Sequence, residues 1–194
     1  MKKILVILGH PSRDSFCHAL AETYIESATA AGAELRKLYL GDLMFDPILH
    51  EGYRVIQPLE PDLEKAREDI RWAQHLVFVY PSWWGGLPAL LKGFVDRVFL
   101  PGFGFKFVEK ALLPQKLLSG RSARLIVTMD TPPWIYRWFL SAPGHNQMRK
   151  CILNFCGIAP VKCTTFSPIK KSTDERRAGY LKAVGALARK EAGS

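Results

Sequence analysis

The sequence predicts an α/β protein, a three-layer sandwich in which a five-stranded parallel sheet lies between two layers of helices. Segments with a strand pattern alternate with segments with a helix pattern along the whole chain. The strand segments are runs of Ile, Leu and Val, which is typical of parallel strands buried on both faces. No repeat, low-complexity tract or long linker divides the 194 residues. We therefore expect one domain, residues 1–194.

The first half of the chain predicts three strands and two helices. Gly32 is the expected end of the first helix, because glycine tolerates the left-handed backbone of a helix terminus. Pro61 precedes the second helix, whose first turn carries acidic side chains that suit the helix dipole. In chain order the predicted segments are the strand 4–8, the helix 15–31, the strand 35–40, the helix 62–73 and the strand 76–80.

The second half predicts the remaining strands and helices. Pro88 is expected at the first position of a helix, and Gly157 is expected to end a later one. That later helix has an apolar stripe at the spacing i, i+3, i+4, i+7, formed by Met148, Cys151, Ile152 and Phe155. A capping-box pattern, 172–175, begins the last helix. The segments are the helix 88–98, the strand 123–128, the helix 145–155, the strand 161–166 and the helix 172–188.

The net charge of +9 invites a nucleic-acid interpretation, which the distribution of charge does not favour. Lysines and arginines are spread along the chain, and only Lys170-Lys171 and Arg176-Arg177 approach a cluster. We therefore expect no nucleic-acid partner. A basic surface also suits small anionic ligands, an acidic protein or a membrane surface.

Cysteine usage and the N-terminal sequence predict a cytoplasmic protein without a metal site. Cys17, Cys151, Cys156 and Cys163 form no C-x-x-C pair and no zinc-type spacing with histidine. Two lysines precede an apolar run of five residues, too short for a secretory signal. No stretch approaches the length of a transmembrane helix.

Ligands of open α/β sheets bind at the carboxyl ends of the strands, where the strand order reverses. The loop after the first strand, 9–17, carries His10, Arg13 and two serines at a helix N-terminus. Free backbone amides and the helix dipole make such a place an anion site. Alternatively, Ser12 or Ser15 merely caps the helix and Arg13 lies in solvent. The composition of the loop leaves both interpretations open.

The loop after the third strand carries two adjacent tryptophans, Trp83 and Trp84, followed by Gly85 and Gly86. Neighbouring tryptophans cannot both point into one core. A flat heteroaromatic ligand would give one of them a stacking partner, and the glycines would let the backbone approach the ring. A packed aromatic loop, or one that forms a dimer, is the alternative.

The segment 128–139, after the fourth strand, is aromatic and contains Pro132-Pro133, which cannot continue a strand. We interpret it as a hydrophobic lid over a ligand. A contact between subunits is the alternative, and the two are compatible if a site is shared between chains.

Three stretches carry a resemblance to a known family, and the resemblance extends over nearly the whole chain. They are Gly9-His10-Pro11-Ser12-x-x-Ser15-Phe16, Tyr80-Pro81-x-Trp83-Trp84-Gly85-Gly86-x-Pro88-Ala89-x-Leu91-Lys92-Gly93-Phe94-x-Asp96-Arg97-Val98-Phe99, and Asn154-Phe155-Cys156-Gly157. The sequence resembles the NAD(P)H:quinone oxidoreductases, the DT-diaphorase family. The resemblance implies a flavodoxin-like fold with strand order 2-1-3-4-5. It also implies a homodimer with a flavin at the interface, and transfer of a hydride from NADH or NADPH through FMN or FAD to a quinone.

The resemblance also implies roles for individual residues. Those expected to hold the phosphate side of the flavin are His10, Ser15, Phe16 and Cys17. Those expected to line the isoalloxazine are Pro81, Ser82, Trp83, Trp84 and Gly85, with Thr128, Met129, Asp130 and Thr131 on its other edge. Backbone amides of this last group are expected to stabilise negative charge on the reduced ring. Tyr136 and His145 match, loosely, the family's tyrosine and histidine near the hydride-transfer site, where they are expected to supply a proton.

The sequence departs from the family at several points. Cys17 stands where the family often has Asn, and Asp130-Thr131 replaces a Gly-Gly pair. The segment 47–61 is shorter than in the FAD-binding eukaryotic members, which favours FMN. Two alternative functions are a one-electron carrier of the flavodoxin type and a regulatory subunit of a potassium-efflux transporter. Only the second would involve a membrane partner.

Overall fold

The computed structural model describes residues 1–109, 111 and 113–193. Its strands are β1 (Lys3–Leu8), β2 (Glu34–Tyr39), β3 (His75–Pro81), β4 (Phe105–Lys106), β5 (Gln115–Lys116), β6 (Ser122–Thr128) and β7 (Val161–Phe166). Five of them form a parallel sheet in the order β2-β1-β3-β6-β7. Leaving out the small antiparallel β4–β5 hairpin, this is the predicted order 2-1-3-4-5, and the prediction is confirmed.

Helices cover both faces of the sheet. They are α1 (Phe16–Ala30), α2 (Pro61–Trp72), α3 (Ala89–Val98), α4 (Pro133–Trp138), α5 (Pro143–Asn146), α6 (Asn154–Cys156) and α7 (Asp174–Ala192). A π-helical segment, Gln147–Leu153, joins α5 to α6. Helices α1 and α7 pack on one face, and α2, α3 and the π-helical segment pack on the other. No helix in the described part of the chain is both long and apolar enough to cross a membrane.

Strand β1 shows why the strands are continuous apolar runs. Successive side chains of a strand point to opposite faces. Ile4 and Val6 pack in the core beneath α1 and α7, whereas Leu5 and Ile7 pack in the core beneath α2 and α3. All four side chains are fully buried. The sheet therefore needs apolar residues at every position, as the sequence predicts.

Most element boundaries lie within one or two residues of the prediction, but two capping details were wrong. Pro88 is the N-cap of α3, whose first residue is Ala89. Thr173 is the N-cap of α7, with its side chain accepting a hydrogen bond from the amide of Arg176. Because Arg176 occupies the third helical position, the helix begins with a simple side-chain cap and not with a capping box.

The predicted helix 145–155 is helical but is not an α-helix throughout. The π-helical hydrogen bonding of Gln147–Leu153 changes the angle between successive side chains, so the i, i+3, i+4, i+7 stripe does not face one core. Met148 is fully buried, whereas Cys151 and Phe155 are exposed and line an apolar cavity. The predicted apolar stripe is therefore divided between the core and the cavity.

Arg97, in the motif after the tryptophan loop, is a fully buried side chain that organises the irregular segment before α2. Its guanidinium donates to both carboxylate oxygens of Glu60, at 3.1 and 2.9 Å, and to the carbonyl of Pro58 at 2.8 Å. It also donates to the carbonyl of Asp46. One buried arginine therefore fixes both ends of the segment 46–60.

Candidate functional site

The three loops singled out in the sequence meet at the carboxyl edge of the sheet. The amide of Ser82, after β3, donates to the carbonyl of Thr128, the last residue of β6, at 2.7 Å. The thiol of Cys17, in α1, lies 3.2 Å from the hydroxyl of Thr128. The rings of His10 and Trp83 make an edge contact, with centroids 5.7 Å apart. Residues far apart in the sequence therefore form one site at the predicted place.

The start of α1 is capped and still presents amides to the site. The Ser15 hydroxyl accepts from the amide of His18 at 3.2 Å and donates to the carbonyl of Ser12 at 2.9 Å. The amides of Phe16 and Cys17, at the first two helical positions, have no acceptor within the helix. The helix dipole adds positive potential at this point. The capping interpretation of Ser15 is correct, and the same geometry suits a phosphate group.

The side chains of His10 and Arg13, in the same loop, are held by contacts within the protein. His10 Nδ1 lies 3.0 Å from both the amide and the carbonyl oxygen of Ser12, so the imidazole braces the loop. Arg13 forms an ion pair with Asp42, and its guanidinium lies 5.1 Å from the ring centre of Tyr39. The hydrogen bond and charge of Asp42 raise the pKa of Arg13. Arg13 is thus exposed but paired.

Cys17 places a buried thiol in the first turn of α1. Its side chain and that of Thr128 are both almost fully buried. Burial raises the pKa of Cys17 to about 11, despite the opposing effect of the Thr128 hydrogen bond. The thiol is therefore protonated near neutral pH, and its role is to join two loops of the site.

The tryptophan loop is a tight turn whose aromatic rings face outwards. The amide of Gly86 donates to the carbonyl of Trp83 at 2.9 Å and closes the turn. Trp84 adopts a left-handed backbone conformation with φ of 53°, and Gly85 follows with φ of 74°. The indole of Trp84 is wholly exposed, and Trp83 is 46% exposed. A left-handed non-glycine residue is uncommon and is concentrated at functional sites.

Tyr136 and His145, the two residues expected to supply a proton, lie together behind this turn. Their ring centroids are 4.9 Å apart, and Tyr136 is only 2% exposed. Nε2 of His145 is 3.5 Å from the hydroxyl of Thr165. Burial, and secondly the charge of Arg149, lower the pKa of His145, which keeps the imidazole neutral near neutral pH.

The loop after β6 is tied to the loop after β7. The amide of Met129 donates to the carbonyl of Phe166 at 3.1 Å, so that amide is already engaged and is a poor candidate for stabilising charge on a ligand. One carboxylate oxygen of Asp130 accepts from the amides of Ile169 and Lys170, at 3.0 and 2.7 Å. The carbonyl of Thr131 accepts from the hydroxyl of Ser167 at 2.9 Å.

Arg177 lies beside the site and was not predicted to belong to it. Its guanidinium is 5.7 Å from the ring centre of Phe16, and its Nε donates to the hydroxyl of Ser172 at 2.9 Å. The pair Arg176-Arg177 was considered only as a weak nucleic-acid signal. The sequence signal that identifies Arg177 is its place in the first turn of α7, the helix that follows β7. This turn lies at the same edge of the sheet as the other loops.

The segment predicted to be a lid contains the short helix α4. Its buried member is Tyr136, and its outer face is aromatic. Most of the side chains of Trp134, Trp138 and Phe139 are exposed, and half of Leu140 is exposed. The lid interpretation and the subunit-contact interpretation both fit this apolar surface.

The groups gathered at this edge of the sheet fit a ligand that has a phosphate group and a planar heteroaromatic ring system, such as a flavin nucleotide. The amides at the start of α1 suit the phosphate, and the exposed indole of Trp84 offers an aromatic face for a ring system at the same edge of the sheet. Among the described residues, no three His, Cys, Asp or Glu side chains are grouped so as to hold a metal ion.

Comparisons with known proteins identify the fold family of the chain. A family described as having a flavodoxin-like fold matches residues 2–188. An uncharacterised NAD(P)H oxidoreductase of Haemophilus influenzae is 29% identical over 182 residues, covering 91% of this chain and 89% of that protein. NAD(P)H dehydrogenase (quinone) 1 of Cavia porcellus is 28% identical over 186 residues, covering 81% of this chain and 65% of that protein.

A solved structure has the same fold as this chain. The crystal structure of Smu.1420 from Streptococcus mutans UA159 superposes with a TM-score of 0.80 at 30% identity. The match covers 97% of this chain and 99% of that one. The chain therefore belongs to the family with a flavodoxin-like fold, and the two relatives described above are NAD(P)H-dependent oxidoreductases by name.

Proposed function

We propose that the protein is a flavin-dependent NAD(P)H dehydrogenase that reduces a quinone or a similar small acceptor. One observation carries the proposal. The phosphate-type start of α1 and the exposed Trp84 turn are held at one edge of the sheet by the contacts of Cys17 with Thr128 and of His10 with Trp83. The named relatives are NAD(P)H oxidoreductases, which favours an enzyme over a one-electron carrier or a regulatory subunit.

The residues of the site have separable tasks. A flavin, when bound, supplies the two-electron chemistry between the nicotinamide nucleotide and the acceptor. The amides of Phe16 and Cys17 hold its phosphate side, and Trp84 and Gly85 orient its ring. The exposed aromatic face of α4 excludes water from the reacting groups. His145, neutral and half-buried beside the turn, is the residue best placed to exchange a proton.

We propose FMN as the flavin. The segment 47–61 is short, and in the larger family members the corresponding part reaches the adenine of FAD. Arg97 holds this segment against α3 through Glu60 and the carbonyls of Asp46 and Pro58. That attachment fixes the segment within its own subunit. NADH and NADPH both remain candidate electron donors.

We also propose that the protein acts as a homodimer in the cytoplasm, with no nucleic-acid partner. A cavity of about 970 Å³ opens between the segment 49–59, the end of α3 and the π-helical segment. Its lining includes Val55, Ile56, Phe107 and Phe155, whose side chains are exposed in the single subunit, and a patch of exposed apolar side chains is typical of an interface. A second copy of the chain is the proposed occupant. Sedimentation that shows only a monomer at micromolar concentration would contradict this.

Flavin content is the direct test. The purified protein should be yellow, and acid release followed by chromatography should identify FMN. Under anaerobic conditions NADH or NADPH should bleach the flavin, and a soluble quinone should restore the colour. A one-electron carrier would not be reduced by the nucleotide. A protein that is colourless and binds neither FMN nor FAD on reconstitution would exclude the proposal.

A further inference from the structure

The hydroxyl of Tyr136 is part of a closed hydrogen-bond network at the back of the tryptophan turn. It donates to the carbonyl of Gly85 at 2.8 Å and accepts from the amide of Gly144 at 2.9 Å. The amide of Gly144 also lies 2.9 Å from the carbonyl of Gly85 and donates to it. Three polar groups from three separate segments, two of them on the buried residues Tyr136 and Gly144, are thus satisfied by one another.

We propose that Tyr136 is a positioning residue that locks the Trp84–Gly86 turn in its outward-facing conformation, and that it is not the source of the proton. The expected consequence of this lock, retention of the flavin, rests on the flavin function proposed above. The lock itself is a property of the protein without ligand.

The hydroxyl proton of Tyr136 already forms a hydrogen bond within the protein. A phenol has one O–H, and here it is donated to Gly85, while the Gly144 amide occupies the acceptor side of the oxygen. To give its proton to an acceptor in the site, Tyr136 would have to give up its hydrogen bond to the half-buried carbonyl of Gly85, which would then keep only the amide of Gly144 as a donor. His145 packs against the Tyr136 ring, and its described hydrogen bond is to Thr165 and not to the turn.

The turn requires a restraint of this kind. Trp84 has a positive φ, a conformation that costs of order 1–3 kcal/mol for a residue with a side chain. The wholly exposed indole makes little contact with the protein that would offset this cost. The hydrogen bonds of Tyr136 and Gly144 to the next carbonyl, that of Gly85, supply the compensating interaction.

The packing at Gly144 shows how closely the segments approach. A Cβ atom added at Gly144 would lie 2.8 Å from the carbonyl oxygen of Gly85 and 3.0 Å from the hydroxyl of Tyr136. Glycine is therefore required at this position for the two segments to meet. Gly144→Ala should push the turn away from Tyr136 while the phenol itself remains.

The test uses Tyr136→Phe, Gly144→Ala and a matched control, Tyr24→Phe. Tyr24 is also a buried tyrosine whose hydroxyl donates to a side chain, but it contacts Glu191, outside the site. In the protein without flavin, amide hydrogen exchange at Gly86 and Gly144 should become about tenfold faster in Tyr136→Phe and in Gly144→Ala. Tyr24→Phe should leave both exchange rates unchanged.

Flavin titration and the pH profile complete the test. The dissociation constant for FMN should rise about tenfold in Tyr136→Phe and Gly144→Ala, because a loosened turn must be ordered on binding. The pH dependence of quinone reduction should keep its wild-type shape in Tyr136→Phe. Unchanged exchange and affinity in Tyr136→Phe, with the loss of one limb of the pH profile, would overturn the proposal and make Tyr136 the proton source. If the wild-type protein binds no flavin, the proposed function fails, and hydrogen exchange still decides whether the lock exists.

Discussion

The thiol of Cys17 and the hydroxyl of Thr128 lie 3.2 Å apart, buried between the first turn of α1 and the end of β6. The contact spans 111 residues of sequence. It joins the segment that presents amides for a phosphate to the segment on the far side of the tryptophan turn. The distance between the two halves of the site is therefore set by one pair of small side chains.

A double-mutant cycle should measure this coupling. Cys17→Ala and Thr128→Val should each lower the free energy of unfolding by roughly 0.5–1.5 kcal/mol, since each leaves a buried polar partner unsatisfied. The double variant should be less destabilised than the sum of the two, as expected for residues in contact. Urea unfolding of the four proteins is the measurement. Strict additivity would mean that the two side chains do not interact.

Thiol reactivity should follow burial. Because burial raises the pKa of Cys17 to about 11, only about one thiol in a thousand is ionised at a pH of about 8. Cys17 should therefore resist iodoacetamide in the folded protein at any protein concentration, whereas Cys151, which is exposed in the single subunit, should be alkylated first in protein diluted until the proposed dimer dissociates. Peptide mapping after timed alkylation checks the order, with the urea-unfolded protein as the control. Labelling of Cys17 at the same rate in both states would contradict the buried assignment.

Trp84→Ala should separate ligand binding from protein stability. The indole is wholly exposed, so its removal should leave the free energy of unfolding within about 0.5 kcal/mol of wild type. If Trp84 stacks on the flavin ring, affinity should fall by about 1–3 kcal/mol, or roughly ten- to a hundredfold in dissociation constant. Trp83→Ala is the matched control and should affect retention less, because Trp83 contacts His10. Equal FMN affinity of wild type and Trp84→Ala would remove the stacking role.

The sequence predicted the sheet and the position of the site because those features follow from local patterns. Apolar runs define the strands, and glycines at 32 and 157, both with positive φ, end helices as expected. The π-helical segment could not be predicted, because its residues carry an ordinary α-helical stripe and its hydrogen bonding is set by packing. The hydrogen-bond network of Tyr136 could not be predicted from the sequence either, because its other members are backbone groups of Gly85 and Gly144, which have no side chain that would indicate them.

At the edge of the sheet opposite the site, Glu191 is the centre of a buried ionic cluster. Its carboxylate accepts from the guanidinium of Arg124 and from the hydroxyl of Tyr24, and it lies 3.4 Å from Nε2 of His75. Burial alone would raise the pKa of Glu191. Hydrogen bonds from His75 and Arg124, together with their charges, outweigh burial and lower the pKa from 4.5 to about 2.

This cluster predicts a specific pH dependence of stability. A folded-state pKa below the unfolded value means that the ionised carboxylate stabilises the protein above a pH of about 4.5 and that this contribution is lost as the pH falls to about 2. Glu191→Gln leaves Arg124 without its charged partner and should cost roughly 3–5 kcal/mol near neutral pH. Urea unfolding across the pH range should give the free energy of unfolding of both proteins. The difference between wild type and Glu191→Gln should shrink as the pH falls from about 4.5 to about 2, because protonation of Glu191 removes the same negative charge from the wild-type protein. The exposed Glu26→Gln variant is the control, with an expected change within about 0.5 kcal/mol. A difference between wild type and Glu191→Gln that stays constant down to the lower pH would show that the ionised form of Glu191 does not stabilise the fold.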